Sequence, residues 1–215
     1  MRESLQTVDV RIEPHELEGI LRLPKQPIGL IIFAHGSGSS RFSPRNSFAA
    51  QRLSDRGFAT LLFDLLTVDE EQDRRNVFDI PLLGSRLGDA VAWAATSSHV
   101  QRLPIGLFGA STGAAAALVA AANEPARIRA VVSRGGRPDL AEEALFRVQA
   151  ATLLIVGGLD YEVLDLNRRA LALLRCEKRL EVVPGATHLF EEPGALEAVV
   201  EASIDWLAAH VPQNE

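Results

Sequence analysis

Three residues spread along the chain form a chemically coherent set: Ser111 in GASTG, Asp160 in VGGLDYE and His188 in PGATHLF. A serine hydroxyl is almost wholly protonated near neutral pH, so its attack on a carbonyl needs an imidazole to take the proton. His188 fits that role. The imidazole must be held in one tautomer and its charge offset once protonated, which is the work of a buried carboxylate such as Asp160. Asp160 has rivals in Glu162, Asp165 and Asp139, but it lies nearest a strand end. Ser111 is also the centre of a G-x-S-x-G pattern. A serine on a sharp strand-to-helix turn adopts a strained backbone, and the positions two before and two after it must lack bulk, which Gly109 and Gly113 satisfy.

Acyl transfer through such a serine also needs donors for the negative oxygen that develops on the carbonyl. His35-Gly36-Ser37-Gly38-Ser39 directly follows an apolar run, and a backbone N–H from such a loop can join that of the residue after the nucleophile. Ser37 and Thr112 are the candidates, through main chain, with Gly38 an open alternative to Ser37. His35 is read as a structural hydrogen-bonding residue. Gly38, Arg41 and Arg134 are candidate substrate contacts, and Arg45 is a further arginine placed to meet an anionic group. Metal sites need ligand clusters: His15-Glu16 is not followed by x-x-His, and there is no Cys-x-x-Cys. The G-x-G at Gly36 to Gly38 lacks the third glycine of a dinucleotide fingerprint, and no P-loop lysine is present. Neither metal nor cofactor is expected.

The elements that must position these groups follow from periodicity. Thr7 to Ile12 and Leu17 to Leu23 alternate around Glu13-Pro14-His15, which predicts a hairpin at a sheet edge. Ile28 to Ala34 is a continuous apolar run, the pattern of a strand buried on both faces. Ser43-Pro44 opens a helix that should stop at Gly57. Phe58 to Asp64 is the next strand, and the acidic stretch Leu65 to Val77 reads as a long surface loop. Leu83, Leu87, Ala90, Val91 and Ala94 recur at three- and four-residue spacing in a helix that ends at Ser97. After the central strand at Ile105, an alanine-rich helix runs from Thr112 to Ala122, apolar nearly all round and therefore buried. Strands ending at Ser133, Val156 and Val183 then alternate with helices over Asp139 to Val148, Tyr161 to Arg175 and Gly194 to His210. This order predicts an α/β fold in one domain, residues 1–215, with a mostly parallel doubly wound sheet and an N-terminal antiparallel hairpin. Ligands of such sheets bind beyond the carboxyl ends of the strands, where the three chemical residues fall.

Composition narrows the classes of function. Among 215 residues, 47% are hydrophobic and 23% charged, which suits a sizeable core, and a net charge of −6 without a basic block disfavours nucleic acid and anionic membrane as partners. The N-terminus has no apolar leader-like run, and no apolar stretch approaches the roughly 18 to 20 residues that span a bilayer. A cytoplasmic protein is the expectation. The single Cys176 excludes an intramolecular disulfide.

Taken together, the HGSGS loop, GASTG, the aspartate two residues after Gly157-Gly158 and the histidine before the last helix resemble the α/β-hydrolase superfamily, and more narrowly its dienelactone-hydrolase-like branch, over residues 28 to 210. The resemblance implies a hydrolase without a cofactor. The enzymes that name the branch use cysteine as nucleophile where this chain has Ser111, so it implies a small ester or lactone as substrate, not dienelactone itself. Families of this kind often carry a cap after the sixth strand; Arg134 to Ala151 leaves room for one short helix and no cap domain. Thioester or amide hydrolysis or perhydrolysis on the same triad, and a non-catalytic binding role for the fold, are the alternatives. A monomer or homodimer is expected.

Overall fold

A computed structural model describes residues 5–212. Eight strands form one sheet: β1 (Gln6–Ile12), β2 (Leu17–Leu23), β3 (Gly29–Ala34), β4 (Phe58–Phe63), β5 (Ile105–Ala110), β6 (Ile128–Arg134), β7 (Ala151–Gly157) and β8 (Lys178–Val183). Their spatial order is β1-β2-β4-β3-β5-β6-β7-β8. The hairpin β1–β2 is antiparallel, and β2 joins β4 antiparallel; every later pairing is parallel. The two strands at the centre, β3 and β5, are buried along their whole length, as continuous apolar runs require when helices cover both faces.

Alternation within each strand divides the core in two. On one face Leu30, Ile32 and Leu107 pack with α3 (Ile80–Thr96) and α4 (Thr112–Asn123), and the α5 (Tyr161–Leu173) residue Ala170 joins the same cluster. On the other, Ile31, Phe33 and Phe108 meet α1 (Pro44–Asp55) and α6 (Ala195–His210), with the Phe33 and Phe108 rings stacked at 4.8 Å. Each fully buried side chain of this size contributes about 2 kcal/mol by leaving water. The expected stripe of α3 is buried in full, and α4 is buried at every position except Val119 and Asn123.

Two local expectations change. The stretch after β4 holds a four-residue helix, α2 (Val68–Glu71), and a 3-10 turn at Asn76–Phe78 where a plain loop was expected. Thr67 and Glu70 form a reciprocal capping box, and Arg86 of α3 pairs with Glu70 at 2.5 Å, which ties the segment to the body of the fold. Between β6 and β7, the segment Pro138–Arg147 is 3-10 and broken at Glu142, whose φ of 47° and ψ of −124° interrupt the helical path. No cap lies there.

Candidate active site

Ser111 joins β5 to α4 with φ 52° and ψ −123°, a conformation disfavoured for a residue with a Cβ. The flanking glycines make the turn possible. A Cβ on Gly113 would stand 2.3 Å from the carbonyl oxygen of Ala34 and 2.4 Å from that of His35, at the end of the adjacent β3, and one on Gly109 would meet the Ala114 Cα at 2.5 Å. A third glycine matters as much: a Cβ on Gly36 would lie 2.9 Å from the Ser111 Cβ, so only a bare backbone lets the loop after β3 close on the serine. The HGSGS pattern contained that signal.

Asp160 and His188 meet across two loops. His188 Nδ1 is 2.7 Å from Asp160 Oδ2, and donation to that carboxylate leaves Nε2 as the basic nitrogen. The pairing is built by backbone. Gly158 N–H donates to Val183 O at 2.8 Å and Leu159 N–H to Ala186 O at 2.9 Å, stitching the acid loop to the base loop. Gly157 permits the approach, because a Cβ there would stand 2.4 Å from Ala186 O and 2.5 Å from Thr187 O. Two of the three rival carboxylates are engaged elsewhere: Asp139 accepts from Arg137 at 2.9 and 2.8 Å, which raises the Arg137 pKa, and Asp165 accepts from Arg169 at 2.5 Å.

Ser111 and His188 line one cavity of about 220 Å³, without a hydrogen bond between them among the described residues. Catalytic contacts in a free enzyme are commonly loose and tighten around substrate. Thr112 is the first residue of α4, where backbone N–H groups lack intrahelical partners. Its Oγ1 accepts from the Ser37 N–H at 3.1 Å, which latches the loop to the helix and already engages one of the two candidate donors. Ser37 lines the Ser111 cavity; Gly38, at φ +70°, lines an adjoining small cavity beside Leu65 and Leu83, which Gly36, Ser37 and Thr112 also line. His35 is buried, accepts from the Leu65 N–H through Nε2 at 3.1 Å and holds the loop.

The arginines separate clearly. Arg41 is held by Asp64 and, at 2.5 Å, by Glu18, and it lies outside the cavity; the expected substrate contact is instead a neutralised strut between β2, β4 and the loop. Arg134 and Arg45 do line the cavity. Arg134 is 9% exposed, and burial together with the neighbouring Arg45 charge pushes its pKa down to about 10.

A strained serine between the central strand and a buried helix, with an acid and a histidine on the loops after β7 and β8 of a mostly parallel sheet, defines an α/β hydrolase. The dienelactone hydrolase family model matches residues 17–210, and the chain belongs to that family. A dienelactone hydrolase from Anabaena variabilis superposes with a TM-score of 0.93 at 50% identity, over 98% of this chain and all of that one. Est1E from Butyrivibrio proteoclasticus shares the fold with a TM-score of 0.79 at 18% identity, over 94% of this chain and 98% of its own. A Mycobacterium tuberculosis protein named "Putative phosphoribosyl transferase" is 58% identical over 95% of this chain. The chain spans about half the length of that relative, 46%.

Proposed function

We propose that this hydrolase-family chain cleaves carboxylic esters or lactones through an acyl-enzyme on Ser111. The observation that carries the reading is the positive-φ Ser111 sharing a cavity with a histidine whose other ring nitrogen is bound to Asp160. Ser111 Oγ attacks the acyl carbon while His188 Nε2 takes its proton, and Asp160 offsets the imidazolium that forms. The tetrahedral oxyanion is received by the Thr112 amide, joined by the Ser37 amide once that N–H leaves Thr112 Oγ1, and one such donor contributes about a hundredfold or more in rate. Collapse breaks the bond to the alkoxy oxygen, to which His188 returns the proton. Water, deprotonated by the same imidazole, then attacks the acyl-serine, releasing the acid and restoring Ser111. With a lactone, alcohol and acid leave as one molecule.

The transferase name belongs to a relative more than twice as long, and the triad and oxyanion loop lie within the region that this chain shares with it. The test is treatment with a small fluorophosphonate followed by intact mass and peptide mapping. The expected result is one adduct, on Ser111, lost in His188→Ala. Ser111→Ala should keep the fold and lose ester turnover by about a thousandfold or more. A folded wild-type protein that takes no label would overturn the reading in favour of a binding role.

A further inference from the structure

One wall of the Ser111 cavity carries charge that the chain leaves uncompensated. Arg134, at the end of β6, gives Nη2 to Asn46 Oδ1 at 3.2 Å, while its buried Nε has no partner. Among the described residues the charged neighbour that acts on it is Arg45, of the same sign, and no carboxylate is paired with it. Among the described residues Arg45 pairs with Glu191 alone, at 3.5 Å and with a carboxylate that is 66% exposed, an arrangement that neutralises little. Both arginines meet at the start of α1, a 12-residue helix whose N-cap Ser43 also lines the cavity and whose positive dipole end faces it. A guanidinium buried without a counter-charge is unfavourable, and an anion bound beside it relieves it.

The number of charges selects the anion. A carboxylate has one charge and two coplanar oxygens, which a single guanidinium can satisfy. A phosphate monoester near neutral pH carries close to two charges and three terminal oxygens, enough to meet Arg134, Arg45 and the α1 terminus together. We infer that this wall is a phosphate-monoester subsite, so that the ester or lactone attacked by Ser111 carries a phosphoryl group on its acyl or alcohol portion. The inference rests on the ester-hydrolase reading for the reaction, but on the cavity alone for binding.

The experiment measures calorimetric binding of phenyl phosphate, benzoate and benzyl alcohol to the intact chain, and the protection each gives Ser111 against fluorophosphonate. Phenyl phosphate should bind about tenfold or more tighter than benzoate, as a second charge-assisted contact implies, and should slow labelling. Arg134→Met should abolish that preference; Arg45→Met, at a half-exposed position that the fold does not need, should reduce it. Equal binding of benzoate and phenyl phosphate, binding unchanged in Arg45→Met and Arg134→Met, or labelling of Ser111 indifferent to saturating phenyl phosphate would overturn the inference. Phenyl phosphate binding that depends on Arg134, in a protein whose Ser111 never labels, would uphold the subsite and remove the esterase reading instead.

Discussion

An imidazole whose Nδ1 faces a carboxylate has a single basic nitrogen left to use, so the 2.7 Å contact between His188 and Asp160 leaves Nε2 as the nitrogen available to act as a base. The same contact ranks the acids. Asp160→Asn replaces the acceptor with an amide and permits the wrong tautomer, and kcat/KM for a nitrophenyl ester is expected to fall about a thousandfold or more. Asp139→Asn breaks only the partly exposed pair with Arg137 and should stay within about tenfold of wild type. A reversed ranking would move the acid to the end of β6. The arginines show the same dependence on partners: Arg41 is quenched by two carboxylates, whereas Arg134, of identical chemistry, lines the cavity without a carboxylate partner and keeps a buried, unpaired Nε.

At the scale of elements, the site is a matter of loops forced close by glycines. Gly157 ends β7 with no side chain, and the loop after β8 fills that space. Gly157→Ala would push Ala186 and Thr187 away and open the hydrogen bonds that place Asp160 under His188. Misplacement of about 1 Å costs on the order of a hundredfold. The expected outcome is a loss of that size in kcat/KM with the circular dichroism spectrum retained, since β7 and β8 pair upstream of the change. Wild-type turnover would show that the stitching of these loops is dispensable.

For the molecule as a whole, stability resides in two helix layers pressed on one sheet, and helices α3 and α4 pack tightly at Gly84. A Cβ there would stand 2.7 Å from Val119 Cγ1 and 3.1 Å from its Cβ, and valine has little freedom at χ1 to retreat. Gly84→Ala gains about 1 kcal/mol of helix propensity but incurs overpacking of about 1 to 3 kcal/mol, so a net loss is expected in urea unfolding. Val119→Ala in the same chain should recover that loss, a non-additive pair that identifies the contact. Additive effects would mean that the two helices do not press on each other at this point.

The strand–turn–helix around Ser111 and the alternation of strands with helices were legible in the chain, because each depends on a few neighbouring residues or on a short repeat. Gly109, Gly113 and the apolar runs of β3 and β5 carry that information locally. The helix α2 was local too, through Thr67 and Glu70, but four residues present no apolar stripe to distinguish helix from loop. The fates of the charged groups were decided only in three dimensions. Arg41 finds Glu18 and Asp64, and Arg134 finds Asn46 from 88 residues away. Whether a charge is quenched or left open to a ligand depends on what the fold brings within hydrogen-bonding distance, and distance across a sheet is set by packing, not by position along the chain.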